Sequence, residues 1–319
     1  MKKIFFSAAV LGIAISMFSC KKETPDPVQN TSQLSALFDN NRASNTQSFT
    51  IPSNGVQSIQ GDKGTVVRFY PNMFVDAAGN PVTGSMDVEL LEALDKGDMI
   101  LNNAVTESGQ QILISGGELN LRVSQNGTPL QLANASFGPE IYVPTTSPDP
   151  QMDIFFGQEV DGDLDWSIVD STSIDIVSGD SLNWQDSSIV WEWDSYYNFN
   201  FNNQDLGWIN CDFFWDNPNP QITVNAQASD AKFTYENTAF FIVYDNYNSV
   251  GSMSDWDQDG VFSQSNIPTN LDITIVAVSE INGQFYFGST MATTVDNQIY
   301  PVTLNPVTQS ELEDLVNAL

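Results

Sequence analysis

The stretch SDWDQDGVFSQSN carries acidic residues at a spacing suited to holding a cation. It reproduces the pattern D-x-D-x-D-G, in which alternate carboxylates converge on one ion and the glycine permits a sharp turn. The predicted ligands are Asp255, Asp257, Asp259, the carbonyl of Val261 and the side chain of Ser263. The sequence therefore predicts a calcium ion bound at this loop.

The rest of the loop argues against an EF-hand. The twelfth position of such a loop is a bidentate Glu, whereas this chain has Asn266, and no helix is predicted on either side. We therefore expect a calcium ion with a structural role in a loop between two strands. The alternative is an acidic hairpin tip that is simply exposed to water.

Tryptophans are concentrated in the middle of the chain, where six of the seven lie between residues 166 and 215. In SIVWEWDSYYNFNFN, alternation predicts a strand with Trp191, Trp193, Tyr197, Phe199 and Phe201 on one face. This aromatic face is either core or an exposed platform for stacking sugars. The second alternative makes Trp191 and Trp193 candidate ligand-binding residues.

Several classes of catalysis are excluded by composition. The chain has no histidine, which removes Ser-His-Asp and Cys-His catalysis in their usual forms and the commonest zinc ligand. Cys211 lies among Trp and Phe residues, so we expect a buried core thiol and not a nucleophile. Carboxylates beside the aromatic face could form a glycosidase pair. With so many acids, such pairs arise by chance, and we expect no catalysis.

The net charge of the chain limits the kinds of molecule that it can bind. The 319 residues include 40 Asp and Glu but only 10 Lys and Arg, a formal charge of −30. After Arg122 the only cation is Lys232. Such a field repels nucleic acid and anionic lipid headgroups, so neither is an expected partner. The acidity is explained by solubility, by binding of divalent cations, or by both.

The N-terminal segment has the features of a signal for export. Lys2 and Lys3 precede an apolar run that is too short to be a comfortable membrane span and ends at Ser19. The motif Met-Phe-Ser-Cys at residues 17–20 resembles the lipobox of bacterial lipoproteins, although Met17 stands where Leu is usual. The resemblance implies cleavage before Cys20 and lipidation of that cysteine. The alternative is an ordinary secretory signal.

The stretch KKETPDPVQN after Cys20 is polar and contains prolines, as expected of a tether. Two or more acyl chains give a stable anchor where one chain is marginal. Lys21 stands where an Asp would signal retention in the inner membrane. We therefore expect an outer-membrane lipoprotein, with exposure at the cell surface left open.

Alternating apolar runs and Asn-Gly turns predict a mostly β protein with two β-sandwich domains. A short helix is expected near residues 31–41, and Thr308 and Glu311 form a capping box that begins an amphipathic C-terminal helix. The predicted segments are a signal peptide (1–19), a lipidated tether with the short helix (20–48), an N-terminal β-sandwich (49–145), an acidic, aromatic-rich middle section (146–222), a C-terminal β-sandwich (223–306) and the C-terminal helix (307–319).

Residues 49–145 resemble a known sandwich family. The turn F-x-D-x-x-G-x-P-V-x-G from Phe74 to Gly84, and S-G-G-E from Ser115 to Glu118, are similar to the β-sandwich shared by ankyrins, netrin receptors and zonula-occludens proteins. The version most similar is carried by uncharacterised Bacteroidetes lipoproteins. The resemblance implies protein–protein contacts without catalysis. It transfers no functional residue, since fold likeness alone does not carry function.

Together these observations predict a lipid-anchored cell-envelope protein with a binding or scaffolding role and no catalytic activity. The alternative is a surface carbohydrate-binding module that uses the tryptophan-rich section. The membrane is reached through the lipid anchor, and the protein or glycan partner is left open. Apart from the structural calcium ion, no cofactor is expected.

Replacing Cys20 by Ala removes the sulfur that would be lipidated. We expect Cys20→Ala to leave the membrane fraction completely, whereas Cys211→Ala, which removes the other cysteine, should stay bound. Fractionation of cells followed by immunoblotting measures this. A Cys20→Ala protein that remains with the membranes would contradict the lipid anchor.

Overall fold

A computed structural model describes residues 34–134, 136–160, 163–169, 173–182, 189–201, 203 and 206–319. Cys20 and the predicted signal peptide lie outside these residues, so lipidation and membrane location stay predictions. No helix in the described part of the chain is both long enough and apolar enough to span a membrane.

The protein is mostly β with few helices, as predicted. The α-helices are α1 (Ser35–Asn45), α2 (Lys96–Leu101) and α3 (Gln309–Asn317), and Gly179–Ser181 form one turn of 3-10 helix. The strands up to residue 214 are β1 (Gln47–Pro52), β2 (Gln57–Gln60), β3 (Val66–Phe69), β4 (Phe74–Val75), β5 (Ser85–Ala93), β6 (Glu107–Ser108), β7 (Gln111–Gln125), β8 (Thr128–Pro129), β9 (Gln131–Leu132), β10 (Glu140–Thr145), β11 (Asp153–Val160), β12 (Asp163–Ile168), β13 (Asp175–Ser178), β14 (Ser195–Asn200) and β15 (Gly207–Phe214). The later strands are β16 (Gln221–Ala228), β17 (Thr238–Tyr244), β18 (Val250–Met253), β19 (Val261–Pro268), β20 (Asp272–Ile281), β21 (Gln284–Thr293), β22 (Ile299–Val302) and β23 (Asn305–Val307).

The first sandwich consists of two sheets. Sheet A has the strand order β1-β5-β7-β15-β11-β12, with β6 and β8 attached to β7, and sheet B has the order β13-β14-β10-β3-β2. Their facing sides form one core, to which sheet A contributes Val88 and Leu121 and sheet B contributes Val67, Ile141 and Phe199. The strand periodicity of two places these side chains on the inner face of each sheet.

The predicted middle section, residues 146–222, is not separate from the first sandwich. Strands β11, β12 and β15 complete sheet A, and β13 and β14 complete sheet B. The first sandwich therefore extends from β1 to β15, well beyond the predicted end at residue 145. The error arose because the acidic residues between the aromatic ones indicated a change in composition, whereas strand pairing depends on partners far away in the sequence.

The second sandwich follows at about its predicted place. Sheet C has the order β19-β16-β22 and sheet D has the order β18-β17-β20-β21-β23. Between them lies a core that includes Val224, Phe240, Phe262, Ile275 and Tyr300. Asn282-Gly283 form the predicted two-residue turn between β20 and β21, and both have positive φ, as the favoured hairpin turn requires.

Sheet D is covered on its other face by all three helices. Phe241 and Val276 point to this face and pack with Leu37 and Phe38 of α1, Met99 of α2, and Leu312 and Val316 of α3. The helices α1 and α2 come from the first half of the chain, so the two sandwiches share this layer. The predicted grouping of this helix with the lipidated tether, residues 20–48, is wrong, because α1 is part of the second core.

Local sequence explains the helices that complete the layer. α3 begins with the predicted capping box, in which Thr308 and Glu311 satisfy each other's backbone N–H groups. The sequence analysis missed α2, which begins with a similar box between Asp95 and Asp98. Gly97 lets α2 approach α3 closely, since a Cβ there would lie 2.9 Å from the Cα of Asn317.

The shared layer predicts that a change in α1 destabilises the second sandwich. Phe38 is 4% exposed, and its ring meets that of Phe241 edge-to-face at 6.4 Å. We expect Phe38→Ala to lower the free energy of unfolding by about 3–5 kcal/mol through lost burial and a cavity.

Denaturant unfolding followed by circular dichroism measures this change. Asp39→Ala, at an exposed position of the same helix, is the control and should shift stability by about 0.5 kcal/mol or less. Equal effects of the two substitutions would show that α1 does not support the second core.

Candidate functional site: a groove at the junction of the sandwiches

A groove of about 1280 Å³ lies where the two sandwiches meet. We call it the junction groove. Its walls are built by residues 49–51 of β1, residues 58–64 around the β2–β3 turn, residues 144–147 and 149 at and after the end of β10, residues 189, 190, 192 and 193 before β14, and residues 246–248 of the β17–β18 turn. The last segment belongs to the second sandwich, so the groove depends on the contact between the two units.

Asn248 fixes the β17–β18 turn to the first sandwich. Its side-chain Nδ2 donates to the carbonyls of Leu94 at 3.0 Å and Ser115 at 3.1 Å. The backbone N–H of Ser115 donates in return to the Asn248 carbonyl at 2.9 Å. Three hydrogen bonds therefore hold this wall of the groove in place. Removing the Asn248 side-chain amide would leave the carbonyls of Leu94 and Ser115 without these hydrogen bonds.

Further hydrogen bonds join the β17–β18 region to the first half of the chain. The N–H of Thr106 donates to the carbonyl of Val250 at 2.9 Å, and the N–H of Val250 donates to the Thr106 hydroxyl at 2.9 Å. Lys96 donates from Nζ to the carbonyl of Asp245 at 3.1 Å. The junction is therefore a hydrogen-bonded seam along residues 245–250, and the groove is held in a preformed shape.

The β2–β3 turn on the opposite wall is organised by a buried carboxylate. Glu92 is 3% exposed and accepts hydrogen bonds from the backbone N–H groups of Lys63 and Thr65, both at 3.0 Å, and from Gln47 Nε2 at 2.9 Å. Gly61 packs directly against this carboxylate, which leaves no room for a Cβ. The turn therefore presents its outer residues to the groove in a fixed conformation.

Among the described residues that line the groove, Lys63 is the one cation. Its ammonium pairs with Asp98, and with Asp95 at 3.1 Å. Burial lowers the pKa of Lys63, but the two carboxylates outweigh this effect and the pKa is raised overall. Because its charge is already matched, Lys63 is poorly suited to recruiting an anionic ligand.

Trp193 presents an aromatic ring in the groove. Its side chain is 37% exposed, and the indole lies over Gly64, where a Cβ would come within 2.7 Å of Nε1. Its backbone N–H donates to the Tyr196 hydroxyl at 3.2 Å. The ring is thus accessible from solvent although its position is fixed by the surrounding chain.

The structure separates the two predicted ligand-binding tryptophans. β14 begins only at Ser195, so Trp191 and Trp193 do not continue its aromatic face as predicted. Trp191 instead packs edge-to-face on Tyr142 at 5.2 Å and Tyr196 at 5.0 Å, on the outer face of sheet B. The prediction was wrong because it extended the alternation through a segment that bends before the strand starts.

The remaining aromatic residues of that stretch are core. Tyr197, Phe199 and Phe201 are almost fully buried between sheets A and B, as one of the two alternatives predicts. The Tyr197 hydroxyl also accepts a hydrogen bond from the N–H of Asp149 at 2.7 Å. This bond anchors the 144–149 wall of the groove to the core beneath it.

Tyr247 is a second groove ring, which the sequence analysis did not identify. It is 37% exposed and is braced by Trp215, whose ring centroid lies 4.6 Å away. The sequence YDNYN, after the apolar run of β17, does indicate a turn. Nothing local indicates that this turn meets the first sandwich, and its role emerges only from the tertiary contact.

The acidic loop has its carboxylates engaged by its own backbone. Asp255 accepts from the N–H groups of Asp259 at 3.1 Å and Gly260 at 2.8 Å, and Asp259 accepts from that of Val261 at 3.0 Å. Asp257 is exposed, and Ser263 donates to the side chain of Asn225. In the described part of the chain, no three His, Cys, Asp or Glu side chains form a group that could hold a metal ion. Calcium at this loop stays a prediction.

Two fully buried acids lie beneath the junction. Asn210 Nδ2 donates to Glu118 at 3.3 Å and to Asp212 at 2.5 Å, and it thereby bridges the two carboxyl groups. One oxygen of each, Glu118 Oε2 and Asp212 Oδ1, has no hydrogen-bond partner among the described residues. Ser115 donates to Asn210, which connects this cluster to the residue that docks Asn248.

Burial disfavours the charged form of both acids. It raises the pKa of Glu118 well above the ordinary value, and the charge of Asp212 raises it further while that of Arg42 opposes it. Burial also raises the pKa of Asp212 well above the ordinary value, against hydrogen bonds with Ser115 and Asn210. Cys211, which precedes Asp212 in the chain, is fully buried in the core, as predicted, and burial raises its pKa too.

No family model, no curated protein and no solved structure shows significant similarity to this chain. The resemblance of residues 49–145 to the ankyrin, netrin-receptor and zonula-occludens sandwich therefore stays a prediction.

The buried acid pair predicts a pH dependence of stability. Because the folded state raises both pKa values, it keeps protons that the unfolded chain releases above about pH 4 to 4.5. The free energy of unfolding should therefore fall as pH rises above that range, by up to about 1.4 kcal/mol per pH unit for each retained proton. Glu118→Gln, which cannot lose a proton, should flatten this dependence.

Urea unfolding between pH 5 and pH 8 measures the slope. Asp296→Asn, at an exposed position, removes one negative charge elsewhere and serves as the control for general charge repulsion. A slope in Glu118→Gln that equals the wild-type slope would show that Glu118 is ionised in the folded protein.

Proposed function

We propose that the protein is a lipid-anchored cell-envelope protein that acts by binding or scaffolding, without catalysis, and that the junction groove is its binding site. The observation that carries this proposal is the preformed groove of about 1280 Å³ with two exposed rings held in place. Ligand sites are typically concave, largely preformed and few per protein.

The groove is supported in a way that favours binding. An exposed aromatic side chain usually loses rotational freedom when a ligand packs on it, which costs affinity. Here Trp193 is held over Gly64 and Tyr247 is held against Trp215 before any ligand arrives. A ligand would therefore meet surfaces that are already ordered.

The chemistry of the chain supports a non-catalytic role. The sequence has no histidine, and the described cysteine, Cys211, is buried in the core. Lys63 is held in ion pairs with Asp95 and Asp98 and is not available as a neutral amine. These features leave the groove with aromatic, amide, hydroxyl and carboxylate groups, which are suited to recognition.

The anchor and the location are part of the same proposal. Lipidation of Cys20 would place the groove at the surface of a membrane, and the expected location is the outer membrane. A chain with 40 acids and 10 Lys and Arg is repelled by anionic headgroups. The lipid would therefore tether the protein while its folded part remains free to bind a partner beyond the headgroups.

A retention experiment tests the binding function without assuming the partner. The form comprising residues 21–319 is immobilised and exposed to solubilised cell-envelope material, which includes proteins and polysaccharides. We expect retained material whose amount falls strongly in the double variant Trp193→Ala, Tyr247→Ala. The control is Met291→Ala, at an 83% exposed side chain outside the groove.

The two outcomes are distinct. Retention lost only in the groove variant, with its melting temperature unchanged, supports the proposed site. Retention that is equal in the groove variant, the control and the wild type would show that the groove is not the binding site.

A further inference from the structure

The two groove rings come from different sandwiches. Trp193 precedes β14 of the first unit, and Tyr247 lies in the β17–β18 turn of the second. Each side chain is 37% exposed, so each keeps ring surface open to a ligand. Aromatic faces attract the flat, weakly apolar C–H faces of a pyranose ring as well as other apolar groups.

The polar residues that line the groove are mostly neutral. Ser58, Thr146 and Asn246 line the groove and reach solvent at least in part. Hydroxyl and amide side chains both donate and accept hydrogen bonds. Sugar hydroxyls have the same double capacity, so a polyhydroxyl chain suits the chemistry of this lining.

The charges of the groove select against anions. Asp62, Asp149 and Glu192 line it, whereas Lys63 is already paired with Asp95 and Asp98. A sulfated, phosphorylated or uronate-rich chain would meet this excess of carboxylates and the net charge of the whole protein. Neutral hydroxyls instead donate well to carboxylates, and such charge-assisted hydrogen bonds are the stronger kind.

An extended peptide is disfavoured by the edge of sheet B. β2 is an edge strand, and a peptide could add to such an edge through its backbone. Here the side-chain amide of Gln60 exchanges two hydrogen bonds with the backbone of Val190, at 2.6 and 3.0 Å. Residue 190 therefore already occupies part of the edge beside the groove.

The size indicates more than one sugar unit. A groove of about 1280 Å³ exceeds the roughly 300–1000 Å³ of pockets that enclose a small molecule. We propose that the junction groove binds several linked units of a neutral, hydroxyl-rich glycan, with pyranose faces on Trp193 and Tyr247. This inference rests on the proposed binding function and specifies its ligand class.

The test uses glycans of defined charge. The form comprising residues 21–319 is screened on an array of neutral, uronate-containing and sulfated oligosaccharides, and the best neutral hexasaccharide is then titrated by calorimetry. We expect a neutral glycan to bind best. Trp193→Ala should weaken its binding by about tenfold, since the loss of one aromatic contact is at most of that order.

Matched variants distinguish the loss of a ring that stacks on the ligand from a general effect of the substitution on folding. Tyr247→Phe keeps the ring and should bind within about threefold of the wild type, whereas Tyr247→Ala should resemble Trp193→Ala. Trp256→Ala removes a tryptophan that is 47% exposed and lies outside the groove, so its affinity should equal that of the wild type. Equal weakening by Trp256→Ala and Trp193→Ala would contradict the site.

The experiments distinguish an error in the proposed ligand, a neutral glycan, from an error in the proposed binding function. If no neutral glycan binds at millimolar concentration, or if anionic glycans bind better, the inference is wrong. If envelope material is nevertheless retained in a Trp193-dependent manner and protease treatment abolishes this retention, the groove binds a protein and the proposed function stands.

Discussion

Sheet D must be covered on both faces, and the rest of the structure depends on this requirement. Phe240 and Ile275 point into the second sandwich, while Phe241 and Val276 point the other way, and all four are fully buried. Sheet C covers only one face. The other is covered by α1, α2 and α3, of which the first two precede or interrupt the strands of the first sandwich. Burial of this apolar surface, favourable at about 25 cal/mol per Å², therefore joins both halves of the chain.

The junction groove follows from that arrangement. With α2 fixed on sheet D, the residues that flank it lie beside the β17–β18 turn, where Asn248 bonds to Leu94 and Ser115. The turn then contributes Tyr247 to a groove whose other walls belong to the first sandwich. The groove is thus a product of the junction, and Trp193 and Tyr247 would not line one groove if the units moved independently. Under the same seam lie the buried carboxyl groups of Glu118 and Asp212, which Asn210 bridges.

Sequence reasoning succeeded where structure is set locally. The Asn126-Gly127 and Asn282-Gly283 turns and the capping box of α3 each depend on residues within a few positions, and all three are present. Met86, Val88 and Leu90 alternate into the core as expected of a half-buried strand. The mostly β class follows from many such signals taken together.

Features that depend on pairing between strands far apart in the sequence were not predicted correctly. Nothing near β15 shows that it pairs with both β7 and β11 inside sheet A, so residues 146–222 were predicted as a separate section. Trp191 and Trp193 are only two residues apart, but their environments differ. Trp191 packs on Tyr142, whereas Trp193 lines the groove. Ligand binding by Trp193 stays a prediction, and its place in the groove does not come from the strand alternation on which that prediction was based. Tyr247 reaches the groove only through the contact between the sandwiches.

The most direct test of this account is the folding of residues 216–319 alone, a fragment that retains sheets C and D and α3 but lacks α1 and α2. Thermal unfolding followed by circular dichroism and by near-ultraviolet signals would show whether it has a packed core. The account predicts no cooperative transition, because Phe241 and Val276 lose most of their cover. A sharp transition with a melting temperature close to that of the whole chain would show that the second sandwich folds independently, and would contradict the shared core on which the junction groove depends.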